Sequence, residues 1–337
     1  MIAGVLLTRG ARVTGAVVCV LLALIAGSWI ARDLNTADGP AQLWRFWESG
    51  PSGLGQASLT TTLYDLLLVV VYAAVALAAL RSPLAAQALV AAAVITLVVR
   101  LPALWVVRAG WMRQWSGPDL RDRALWSAFA AIGGALVLLI VAAAGRRRAD
   151  SAYDEDDRVP TRPLLGAGVT AFLFLGVAGG ATLAWEGWTA FDLVDISRRA
   201  YENRFTGEAG LYTPLLGVPA GWLNVTLGGL SLVAAVAAVA RARFSRPLGL
   251  VVALVLAGAG GMYLSIVLRG GLIRHLDELP ARGQLLVYTQ LFYLLAGVVV
   301  LAVLARRGVH DEAGDPAPSW QQPGFGPPPP SAPPPGW

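Results

Sequence analysis

The sequence predicts an all-α integral membrane protein: eight transmembrane helices built as a four-plus-four parallel repeat, with short interfacial helices in the outer loops. Three observations predict it. The 337 residues are 56% hydrophobic and 14% charged, against roughly a quarter charged in soluble domains. Eight apolar runs are separated by polar segments, and most reach the ~20 residues that cross a ~30 Å hydrocarbon core. Both halves follow one plan around the charged stretch at 146–163, which opens with Arg146-Arg147-Arg148. Backbone amides cannot stay unsatisfied in lipid, so each run is expected to be helical.

The first half covers residues 1–145. Its first span, 12–31, follows Arg9 and holds a 19-residue charge-free run. That is long for the roughly 7–15-residue core of a signal peptide, so a retained anchor is expected. Spans at 60–80 and 84–104 flank a tight turn, Arg81-Ser82-Pro83, and a fourth lies at 125–145. Residues 146–163 read as a cytoplasmic connector. There Asp154-Glu155-Asp156-Asp157, beside Arg158, reads as solvated in preference to a cation site. The second half, 164–308, holds spans at 164–185, 221–240, 248–268 and 285–305. The apolar run at 209–240 is too long for one span, and its first part, with Pro214 and Pro219, reads as loop. Ala257-Gly258-Ala259-Gly260-Gly261 inside the seventh span permits close helix packing. The tail at 309–337 is Pro-rich, with 10 of the 21 prolines in 311–337, and is expected to be disordered with polyproline-II character.

The repeat is read from hydropathy and a few short matches. Ala78-Ala79-Leu80-Arg81-Ser82-Pro83-Leu84 resembles Ala242-Arg243-Phe244-Ser245-Arg246-Pro247-Leu248, and Trp47-Glu48 matches Trp185-Glu186. Four spans per half make the repeat parallel, about an axis near the membrane normal.

Arginine counts leave the orientation open, with 13 on one side and 12 on the other. Density decides it. Arg146–Arg148, Arg241/Arg243/Arg246 and Arg306/Arg307 abut helix ends on the side with short loops, so both termini are placed in the cytoplasm, with the chain in the plasma membrane. Ten of the twelve tryptophans fall on the opposite, outer side. One heavy aromatic belt reads as outer loops dipping into the headgroups, or as a surface for a ligand or partner.

Composition excludes several chemistries. All 26 basic residues are Arg, so no Schiff-base lysine and no Walker A lysine exists. With Ala, Gly and Pro in excess, the composition reads as bacterial. Cys19 is the single cysteine, which removes intrachain disulfides and Cys-rich metal sites. His275 and His310 are the only histidines and cannot supply a transmembrane haem pair. No cofactor is implied, and the scattered arginines do not suggest nucleic acid.

Polar residues concentrate in the outer halves of the spans. Asp65 and Arg100 lie at similar distances from the turn at Ser82, ~25 Å along antiparallel helices. An ion pair is expected if both face inward, either as a helix lock or as part of a ligand or gating site. Tyr64, Tyr263 and Tyr288 join them as a candidate outer-face polar site. Trp44, Trp47, Trp188, Arg198 and Arg199 are candidate outer-loop lipid contacts, with Arg204 also available to phosphate. Residues 41–48 read as an interfacial helix. After the fifth span, Phe191, Val194, Tyr201 and Phe205 fall on one helical stripe, with Asp195 and Arg199 as an i,i+4 pair. His275 can approach Glu278 at i,i+3, without forming a convincing metal or catalytic site. The expected function is non-enzymatic: an outer-face binding or accessory protein for a lipid-like ligand or a membrane-protein partner. A transporter of a small or amphipathic substrate, or a lipid-modifying enzyme, are the alternatives.

Overall fold

Among the described residues, eight helices are long and apolar enough to cross a membrane, the pattern of a multi-pass membrane protein. The computed structural model describes residues 5–49, 59–148, 163–208 and 214–306. The Pro-rich tail and most of the connector, 149–162, lie outside the described residues. In chain order come β1 (Val5–Leu7), α1 (Arg9–Thr36), α2 (Pro40–Ser49), α3 (Leu63–Arg81), α4 (Ala85–Arg100) and α5 (Ala103–Val106). They are followed by α6 (Pro118–Ala144), β2 (Arg146–Arg148), α7 (Leu165–Ile196), α8 (Arg198–Thr206), α9 (Ala220–Val239), α10 (Ser245–Arg269) and α11 (Ala281–Ala305). The eight predicted spans fall on α1, α3, α4–α5, α6, α7, α9, α10 and α11.

The long helices form two rings of four. In the first, α1 packs on α3, α3 on α4, α4 on α6 and α6 on α1; in the second, α7, α9, α10 and α11 close in the same order. The rings meet where α10 lies against α3 and α4, and α4 against α9. Several of the long helices bury small residues along the stripe that faces their neighbours. On α1 the stripe is Gly15, Ala16, Cys19, Leu22 and Ala26, while Val17, Leu21 and Leu24 are exposed. Water would penalise that outward apolar surface, whereas lipid does not. Small residues then allow backbones to touch. A Cβ on Gly260 of α10 would lie 2.5 Å from Leu294 N of α11, and one on Gly297 of α11 would lie 2.5 Å from Ala253 O.

The two ends differ in chemistry. At one end β1 pairs antiparallel with β2, so the N-terminal segment and the start of the connector lie together. Arg241 Nε donates to Pro163 O, and Arg246 donates to the carbonyls of Leu304 and Arg306. The other end holds the tryptophans and a cap of short elements. Leu43 and Phe46 of α2 bury against Leu59. Leu215 and Leu216, just before α9, bury against Trp29, Val106, Val107 and Met112 of the first ring. The second ring's connecting segment thus covers the first ring.

Two expectations change. The fifth span was placed at 164–185, but α7 continues to Ile196, ~48 Å at 1.5 Å per residue. Its tail carries Trp185, Glu186 and Trp188 as helix, not as loop. The single stripe predicted after it is broken by Ser197, which is extended at φ −168° and ψ 122°. Asp195 therefore sits on α7 and Arg199 on α8, and the ion pair formed there is Arg198–Glu202 at 3.0 Å.

Candidate functional site

Asp65 and Arg100 pair in the first ring. Arg100 Nη2 reaches Asp65 Oδ1 at 2.5 Å, with both side chains buried. Asp65 Oδ2 accepts from Thr62 N at 2.7 Å and caps α3. One turn below Arg100, Thr96 Oγ1 donates to Ala92 O and hydrogen-bonds Tyr72 Oη at 2.8 Å. Above them the cap is sealed by Asp33, which is fully buried at the end of α1. Asp33 accepts from the backbone N–H of Thr60 and of Thr61, at 2.8 and 2.6 Å, and from both threonine hydroxyls. Thr60 O in turn accepts from Leu216 N of the covering segment at 3.0 Å. The sequence singled out the pair correctly in space, but it lies beneath a closed cap.

The second ring is open at the same end. A pocket of about 510 Å³ lies between α7, α9 and α11. Thr182 and Tyr293 form part of its lining, with Thr182 Oγ1 and Tyr293 Oη 2.9 Å apart. Asn224 and Gln290 line it with amides, and Trp185 and Leu286 with apolar surface. The Trp185 ring stacks on Trp188 at 5.4 Å, nearly parallel, and its Nε1 donates to Thr289 Oγ1 at 3.2 Å. Arg282, also in the lining, lies 4.8 Å over Trp188 and pairs with Asp192. Beside the pocket, Glu186 is buried within α7. Arg204 of α8 donates to it through Nε at 3.0 Å and Nη2 at 2.6 Å, and Asn224 Nδ2 donates at 2.8 Å. The bidentate contact anchors α8 to α7. Nearby, burial and the Glu186 charge push the Tyr201 hydroxyl above its usual range, against a lowering pull from Arg204, so Tyr201 stays neutral.

The other predicted residues scatter. Tyr64 packs half-buried against the first ring's core, Tyr263 is half-buried on α10, and Tyr288 is exposed on α11. Trp44 Nε1 donates to Glu48 Oε1 at 2.6 Å and reaches Ser265 Oγ at 3.1 Å, while Trp47 Nε1 donates to Thr61 Oγ1 at 3.3 Å. Both indoles are therefore engaged inside the protein. Trp188 is exposed beside the pocket, and Arg198 and Arg199 are exposed on α8. Arg204, read as open to phosphate, is committed to Glu186. His275 Nδ1 meets Glu278 Oε1 at 3.1 Å on the surface, and among the described residues no group of three or more His, Cys, Asp or Glu could hold a metal.

Sequence reasoning passed over Asp33 and Glu186 as functional groups. Asp33 follows Arg32 at the end of the first apolar run, and the Thr60-Thr61-Thr62 run supplies its partners Thr60 and Thr61, which is a usable signal. Glu186 and Glu48 were visible as the loose Trp-Glu match between the two halves. Both prove nearly buried and paired with Arg, Glu48 with Arg269 at 3.2 Å. No protein-family model, curated protein or solved structure matches the chain.

Proposed function

We propose that this is a multi-pass plasma-membrane protein, built by parallel duplication, with its arginine-rich end and both termini in the cytoplasm. Its tryptophan-rich outer end binds a lipid-like ligand without chemically altering it. One observation carries the reading: the second ring keeps a pocket lined by neutral polar groups, an indole and the Asp192-paired Arg282, while at the same end of the first ring Asp65 and Arg100 are buried and Leu215 and Leu216 of the covering segment pack against its helices. The volume is within the roughly 300–1,000 Å³ of small-molecule sites, which combine apolar walls with a few placed polar groups. Exposed Phe191, Val194 and Ile196 on α7 and Leu285 on α11 offer apolar surface at this end for acyl chains. Towards the arginine-rich end, the buried residues of α7 and α11 are Gly168, Ala171, Leu175, Ala296, Gly297, Val300 and Leu304. This apolar interior favours binding over passage of a polar substrate.

Native mass spectrometry of the protein from mild detergent tests the proposal. A stoichiometric lipid-like molecule is expected on the wild type and is expected to be lost from an Asn224→Ala/Gln290→Ala variant. A stoichiometric second protein in place of the lipid would instead make the chain an accessory subunit.

A further inference from the structure

We infer that the pocket between α7, α9 and α11 recognises a neutral sugar headgroup, so that its ligand is a glycolipid. This rests on that pocket being the ligand site. The first argument is charge. Among the described residues Arg282 is the one cation in the lining, and it is already paired with Asp192 and placed over Trp188. Arg204, the next arginine, is held bidentately by Glu186. Arg282 meets Asp192 through Nη1 alone, so a phosphate could use its other N–H donors only while facing the Asp192 carboxylate, whereas an uncharged headgroup meets no such repulsion.

The second argument is the kind of hydrogen bonding left over. Asn224 uses its Nδ2 on Glu186, which leaves its carbonyl oxygen as an acceptor. The Gln290 side chain lines the pocket with an amide that both donates and accepts. Tyr293 Oη has capacity left beside Thr182. Sugar hydroxyls also donate and accept, and a ring of them matches a wall of amides and hydroxyls that a choline or acyl ester would leave unsatisfied. The third argument is the indole. Trp185 is held by its stack on Trp188 and its bond to Thr289, so it presents a fixed aromatic surface to the pocket. The electron-rich face of an indole attracts the polarised C–H edge of a pyranose ring.

The test uses the full chain, purified without glycosidic detergents and placed in phosphatidylcholine nanodiscs. Three lipids with identical acyl chains are titrated: monoglucosyl diacylglycerol, phosphatidylglycerol and diacylglycerol. Bound lipid is read by native mass spectrometry. The glucosyl lipid is expected to bind about tenfold more tightly than either of the others, and Trp185→Ala and Gln290→Ala are each expected to weaken it about tenfold. Gln290→Ala decides the matter if Trp185→Ala fails to fold, because the Gln290 side chain makes no hydrogen bond among the described residues. Equal or tighter binding of phosphatidylglycerol overturns the sugar assignment and leaves the lipid pocket standing. No saturable binding of any of the three overturns both.

Discussion

Asp65 does two things at once. Its Oδ1 takes the Arg100 guanidinium, and its Oδ2 takes the N–H of Thr62, the residue that caps α3. Asp65→Asn should therefore keep much of the cap but leave Arg100 as an unpaired buried charge, which costs about 3–5 kcal/mol. Arg100→Leu alone leaves the carboxylate in the same position. Adding Arg100→Leu to Asp65→Asn should recover much of that loss, so the double variant should be more stable than the two single losses predict. Denaturant titration of the reconstituted protein measures this, and simple additivity would remove the ion pair as a stabilising unit. Both rings use the same chemistry, although the residues are not equivalent in sequence. Each buries a carboxylate against an arginine, and one turn away each sets a threonine against a tyrosine: Thr96 with Tyr72, and Thr182 with Tyr293. What differs is access: Thr182 and Tyr293 line a pocket, whereas Asp65, Arg100, Thr96 and Tyr72 are buried.

The elements are held at close range by small residues and at their tryptophan-rich ends by indoles. Along α10 two neighbouring glycines face different surroundings. A Cβ at Gly260 would strike the α11 backbone, whereas at Gly261 the nearest atom is Leu294 Cδ1 at 3.9 Å. Gly260→Ala should destabilise by about 1–3 kcal/mol through overpacking, while Gly261→Ala should be neutral or slightly stabilising in a helix interior. Thermal unfolding of the pair side by side checks this, and equal shifts would mean that the two helices do not cross there. Three indoles bridge the rings. Trp222 Nε1 of α9 donates to Val98 O of α4, Trp105 Nε1 of α5 donates to Phe205 O of α8, and Trp44 of α2 reaches Ser265 of α10. Trp105 and Trp222 also meet edge to face at 5.5 Å. The tryptophan asymmetry seen in the sequence thus has an internal cause as well as any interfacial one: three of the ten join the two rings and Trp29, Trp47 and Trp185 bond within their own, with Trp115, Trp126 and Trp188 exposed.

At the scale of the whole molecule, the meeting of the rings has an internal logic. α10 contacts α3 and α4, and α4 contacts α9; under the proposed duplication, which would relate α3 to α9 and α4 to α10, these contacts exchange among themselves. Orientation is testable on the same scale. Asn35 is exposed at the tryptophan-rich end of α1 and Ala240 at the arginine-rich end beyond α9, and the native Cys19 is fully buried. In intact cells a membrane-impermeant thiol reagent should label Asn35→Cys, and should label Ala240→Cys only after lysis. The opposite pattern would invert the proposed topology. The sequence by itself determined the eight helices and the two chemically distinct ends. Those depend on the length of apolar runs and on charge beside them, and lipid imposes both one span at a time. It also picked out Asp65 with Arg100, because a tight turn fixes the depth of residues counted from it. Only the tertiary structure decided that α7 continues as helix past Glu186, that Asp33 closes the first ring, and that the second ring keeps the pocket. Those outcomes depend on helix rotation and on Leu215 and Leu216 filling a distant bundle, and the order of residues along one strand of chain does not encode such long-range complementarity in any local pattern.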